Sequence, residues 1–133
     1  MILEIRTLDD LELARHHCHD ALFEPSEAVF NKSNKVFLLP FVREMWEKAK
    51  PEKSFWIFHR WRIPKTQAIL LFHNVIDVSI KFKEPGDWLE TIEYKAEEKT
   101  IILNGIKGSI LRLDINSLSG KLEDQGDEYF DER

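Results

Sequence analysis

A chain of 133 residues has the length of one domain, and its 43% hydrophobic and 32% charged residues are the proportions of a globular protein with a core of its own. Its single cysteine excludes an internal disulfide, and a net charge of −5 argues against nucleic acid, whose binding rests on Lys and Arg neutralising phosphates. The amino terminus meets acidic residues at once, without the basic start and apolar run of a secretion signal, and no stretch is long enough to span a bilayer, so a cytoplasmic protein with no membrane partner is expected.

The first element reads as a helix over residues 8–19. Thr7 with Asp10 three positions later is an acidic capping box, and Leu8, Leu11, Ala14 and Cys18 recur at helical spacing. The helix runs into HHCHD (16–20), which gathers three of the five histidines, the only cysteine and an aspartate. A helix turns about 100° per residue, so these groups do not point together. His16, His19 and Asp20 share one side, His17 lies apart and Cys18 faces the opposite way. A metal would find at most His16, His19 and Asp20, and would need His59 or His73 from a strand. The preferred reading is architectural: Cys18 continues the apolar stripe, and the histidines sit at the negative end of the helix.

Beyond residue 20 the chain reads as strands. ALFEPSEAVFN, KVFLLPFVREMW, FWIFHRWRI, QAILLFHNVIDVSIKF, WLETIEYKA, KTIILNGI and SILRLDINSLSGKL are rich in β-branched and aromatic residues, with turns at NKSN, KEPGD, AEE and NGIKG. EKAKPEKS reads as an exposed connection with room for one helical turn. The fold class is α+β and β-rich: an N-terminal helix on an antiparallel sandwich or partly closed barrel of seven or more strands, in a single domain 1–133. An internal echo supports halves at 21–82 and 87–123. EAVFNKSNKVFLL (27–39) lies over TIEYKAEEKTIIL (91–103), placing Phe30 on Tyr94, Lys35 on Lys99 and Leu39 on Leu103. VIDVSIKF (75–82) lies over INSLSGKL (115–122). Duplication and chance likeness of hairpins both remain open.

FWIFHRWRI offers the best candidate surface. Alternation puts Phe55, Ile57, His59, Trp61 and Ile63 on one face and Trp56, Phe58, Arg60 and Arg62 on the other. Two aromatics with two guanidinium groups can hold a carboxylate, a phosphate or a stacked base. Asp114 joins the candidate surface, and the plain alternative is that Arg60 or Arg62 meets Asp114 or Asp77 across a ladder. Charge is also uneven: residues 43–65 carry seven Lys or Arg against three Glu, and 121–133 carry six acids against two bases. A solvated loop and frayed tail would explain this, as would a basic patch with the tail folded over it.

No phosphate loop, dinucleotide fingerprint, nucleophile elbow or zinc-protease motif occurs. The residues therefore read as a non-enzymatic binding or interaction module for an unknown protein or small anionic ligand, with no cofactor and no catalytic set. The alternative is a small metal-dependent or histidine-using hydrolase. A homodimer through an open sheet edge is a third arrangement.

HCHDA (17–21), KVFLLPFVREMWE (35–47), HRWR (59–62), LLFHNVIDV (70–78) and ILRLDINSLSGKLEDQG (110–126) together resemble a family of short, mainly proteobacterial proteins, the domain of unknown function DUF2948. His17, Asp20, Ala21, Trp46, Glu47, Arg60, Arg62, Phe72, Val75, Leu113 and Asp114 fall on its pattern. The family prefers an amide at His19 and an aspartate at His73, which weakens both as ligands. The resemblance implies one cytoplasmic domain and no particular reaction.

Overall fold

The computed structural model describes residues 1–48, 50–52 and 60–130. Strand β1 (Ile2–Ile5) leads into helix α1 (Leu8–Cys18), which Thr7 and Asp10 cap reciprocally, as their spacing predicts. The helix packs Leu11, Ala14 and Cys18 into the core. It ends one residue earlier than expected, because His19 turns to an extended conformation and Asp20 adopts a φ of 62°.

The strands follow: β2 (Leu22–Phe23), β3 (Val29–Asn31), β4 (Val36–Glu44), β5 (Lys50–Glu52), β6 (Arg60–Arg62), β7 (Lys65–Phe72), β8 (Val75–Lys81), β9 (Asp87–Lys95), β10 (Thr100–Gly105), β11 (Ile110–Ile115) and β12 (Gly120–Asp124). Ten of them form one antiparallel sheet in the order β1-β12-β7-β4-β2-β9-β10-β11-β8, with β3 also on β4; β5 and β6 pair separately. The sheet does not close on itself. QAILLFHNVIDVSIKF, read as one run, breaks at His73 and Asn74 into β7 and β8, Asn74 having a φ of 59°. SILRLDINSLSGKL likewise divides into β11 and β12. One face of the curved sheet buries Phe37, Leu39, Leu70, Phe72, Leu103, Leu111 and Leu113 beneath α1.

Two hairpins of the sheet share one register. Phe30 faces Phe37 on β3 and β4 as Tyr94 faces Ile101 on β9 and β10. Both four-residue turns end in a lysine of positive φ, Lys35 at 57° and Lys99 at 50°. The carbonyl of Lys35 accepts from Val75 N–H and that of Lys99 from Ile115 N–H, both at 2.9 Å. The next strand also matches: Leu39 faces Leu70 as Leu103 faces Leu111. The strands after those are exchanged. β8, which follows β7, pairs with β11, whereas β12, which follows β11, pairs with β7. Their crossing links are bonded to each other, His73 N–H to Ser119 C=O at 2.8 Å and Asn116 N–H to Asn74 C=O at 2.9 Å. Phe72 faces Gly120 and Leu113 faces Val78, so Gly120 corresponds in place to Val78, two residues from the position that the sequence overlay gives it.

Candidate functional site

Strand β4 alternates strictly between buried and half-buried positions, and Arg43 falls in the buried row with Phe37, Leu39 and Phe41. A fully buried guanidinium needs its N–H groups satisfied and its charge paired. Asp124 of β12 supplies one side, accepting from Nε at 2.7 Å and from Nη2 at 2.9 Å. Glu47, in a 3-10 turn at Trp46–Lys48, supplies the other, accepting from Nη2 at 2.6 Å and Nη1 at 3.2 Å. Burial opposes charge on all three groups, but the pairing outweighs it: Arg43 is held above its ordinary pKa, and Asp124 and Glu47 below theirs. The amino terminus reaches Asp124 Oδ2 at 3.3 Å, and His17 Nδ1 lies 3.8 Å from Glu47 Oε2. The ion cluster thus ties the start of the chain, the helix end, β4 and β12 together.

A cleft of about 580 Å³ opens on the solvent side of this cluster, between the last helical turn (Arg15, His16, His17), His19, and Glu44, Trp46 and Glu47. Trp46 is half exposed there, a large aromatic surface beside three imidazoles. Arg15 is held by Glu12 one turn earlier. His17, Trp46 and Glu47, all positions that the family resemblance picks out, line this one cleft. Its floor is rigid because Arg43 fixes Glu47. Met45 N–H donates to Pro64 C=O at 2.7 Å and closes the base of the excursion that carries β5 and β6.

Cys18 is fully buried, as the helical stripe predicts, and burial pushes its thiol up to about 12. His16 instead lies 3.9 Å from Glu12, and His19 Nε2 lies 3.6 Å from Asp20 Oδ2. The turn after Cys18 takes His19 and Asp20 off the helical phase that would align them with His16. Among the described residues no three His, Cys, Asp or Glu side chains are grouped to hold an ion.

Of the proposed aromatic–arginine face, Trp56 and Phe58 lie outside the described residues, as do Phe55, Ile57 and His59. Arg60 and Arg62 stand on β6 opposite Glu52 and Lys50 of β5. Asp114 lies on β11, where its ladder neighbours are Thr100 and Asp77. Its Oδ1 accepts from Thr100 Oγ1 at 3.1 Å and Arg112 Nε at 3.5 Å. No ladder among the described residues sets Arg60 or Arg62 against Asp114 or Asp77. The acidic tail is not frayed along its described length. Gln125 N–H donates to Gln67 C=O, Lys65 and Tyr129 exchange two backbone bonds, and Lys48 meets Glu128 at 3.1 Å. The tail therefore covers part of the basic segment.

Sequence reasoning did not identify Arg43 and Asp124. The signal was the parity of KVFLLPFVREMW, which puts an arginine in the apolar row. It also missed Asp87, whose buried carboxylate accepts from the backbone N–H of Trp88, Lys107 and Ser109 at 2.7–3.1 Å and anchors the NGIKG turn. Gly105 of that turn leaves room for the carboxylate, since an added Cβ would lie 2.1 Å from Asp87 Oδ2.

No described helix is long and apolar enough to cross a membrane. No curated protein and no solved structure matches the chain. The family model described as a protein of unknown function, DUF2948, matches residues 3–133, and the chain belongs to that family.

Proposed function

We propose that the protein is a non-enzymatic, cytoplasmic binding module whose cleft at the end of α1, together with Arg60 and Arg62 of β6, receives an anionic group of a small ligand or partner protein. The observation that carries this reading is the half-exposed Trp46 beside Arg15, His16, His17 and His19 in a cleft with a fixed floor. An aromatic surface with a guanidinium and three imidazoles around it, beside Glu44 and Glu47, offers N–H donors to a carboxylate or phosphate attached to an apolar body. Trp56 and Phe58 belong to the same proposed surface by sequence and lie outside the described residues. Asp114 plays a lesser part, because its carboxylate is already engaged. We also infer a single domain 1–133 whose halves, 21–82 and 87–123, arose by duplication; the matched turns at Lys35 and Lys99 support this.

A histidine-using hydrolase would rest on His17 and Glu47 as its acid–base pair. The binding reading is preferred because Arg43 already takes both oxygens of Glu47, leaving it a weak base for His17 to work with. Citrate and inorganic phosphate titrated into ¹⁵N-labelled protein should shift the amide signals of His17, His19 and the indole of Trp46 together. Arg60→Ala with Arg62→Ala should weaken the response without unfolding the chain. Saturating additions that leave these signals in place would overturn the reading.

A further inference from the structure

The two ends of the large sheet are treated differently. Backbone bonds fix which groups face outward at each. His73 N–H to Ser119 C=O shows that odd residues of β12 turn their polar groups toward β7, so Gly120, Leu122 and Asp124 turn theirs to the far side. There β1 takes them up, with Ile5 opposite Gly120, Leu3 opposite Leu122, and Asp124 N–H donating to Met1 C=O. At the other end, Ile115 N–H to Lys99 C=O and Gly105 N–H to Ser109 C=O turn the odd residues of β11 toward β10. Arg112 and Asp114 therefore bond to Ser79 and Asp77 of β8, which leaves Val78 and Ile80 facing outward. These occupy the places of Gly120 and Leu122. Among the described residues no strand covers them.

The exposed edge has a composition that answers itself. Val78 and Ile80 lie against the core, and Ile76 and Phe82 beside them are exposed hydrophobics. Asp77, Ser79 and Lys81 point from the other face into solvent. We propose that β8 pairs antiparallel with β8 of a second copy of this chain, with Ser79 on the two-fold axis. In that register Asp77 stands opposite Lys81 of the second copy, Val78 opposite Ile80, and Ile76 opposite Phe82, and each pair occurs twice. An isologous pairing requires this self-complementarity, with opposite charges facing and apolar rows continuing across the seam. The parity also fits, since Val78 and Ile80, the residues with outward N–H and C=O groups, become the hydrogen-bonded pair. The Val78 N–H is meanwhile held by the Asp77 carboxylate at 3.0 Å. On pairing, that N–H passes to Ile80 C=O of the second copy and the carboxylate turns to Lys81. The second copy would do for β8 what β1 does for β12.

The full-length protein tests this by sedimentation across a concentration series. It should be a reversible dimer, and Asp77→Lys or Lys81→Asp alone, by opposing like charges twice, should weaken the dimer about tenfold or more. The double swap Asp77→Lys with Lys81→Asp should restore it. Ser79→Cys should give a disulfide-linked dimer on mild oxidation, because a non-hydrogen-bonded antiparallel pair sets its Cα atoms about 4.5 Å apart, within disulfide range; buried Cys18 does not compete. A monomer at every attainable concentration would mean that Asp77 and Lys81 merely guard the edge against association, and the proposal would fall. A dimer indifferent to the swaps and not linked by Ser79→Cys would overturn it equally, since its interface would lie elsewhere.

Discussion

Arg43 stands where the alternation of β4 calls for an apolar side chain, and the fold tolerates it only because Asp124 and Glu47 complete its hydrogen bonding from two sides. Arg43→Ala leaves two carboxylates facing an apolar row and should cost about 3–5 kcal/mol in urea unfolding, the usual penalty for breaking a buried pair. The same cluster sets an acid dependence. Asp124 and Glu47 titrate below their ordinary values of 3.8 and 4.5 in the folded protein, so the unfolded chain takes up protons first as pH falls. Stability from the cluster is fully present above those ordinary values and is lost as pH drops through the depressed ones. Urea midpoints measured from pH 6 to pH 3 should fall for the native protein, and the Arg43→Ala variant should fall less steeply. The arginine went unread although the parity of β4 marks it. Asp124 was not legible, because an acidic residue in an acidic terminal run carries no mark of burial until β12 is placed on β7, one strand away from β4.

Helix α1 was the most legible element, since capping box and apolar stripe agree, and Thr7→Ala should lower stability by about 1 kcal/mol, measured as a shift in thermal or urea midpoint. Its last turn was harder to read. Helical angles correctly put Cys18 in the core, but carried His19 and Asp20 one step too far along a helix that had already stopped. The long β runs were recognised as strand, yet their breaks were not: that at His73–Asn74 has no glycine or proline beside it, while that between Ile115 and Gly120 was marked by the Asn, Ser and Gly of NSLSG and passed over. β1 escaped notice for a different reason: four residues with exposed Ile2 have little pattern, and they are a strand because β12 offers them an edge. The cleft depended on tertiary placement, since Trp46 and Glu47 lie nearly thirty residues from His17 and no spacing rule links them.

At the scale of the molecule, β1 is a four-residue cover over one end of a ten-stranded sheet. Removing residues 1–5 should bare the outward groups of Gly120 and Leu122 and the flank of Leu3's former partner row. The truncated chain is expected to form larger species at concentrations where the intact chain does not, readable by light scattering. The β-rich class, the helix position and the antiparallel connections followed from residue patterns. The exchange of β8 and β12 did not, because each strand is equally compatible in sequence with its own half and with the other.

That exchange also constrains how the protein is made. When residue 82 has left the ribosome, β7 has β4 beside it but still lacks β12, and β8 has no β11 to join. At about 5–20 residues per second the missing strand emerges roughly two to eight seconds later. During that interval the nascent chain presents the unpaired backbone edges of β7 and β8, so the final stretch, residues 120–124, is the latch that completes the pairing of β7.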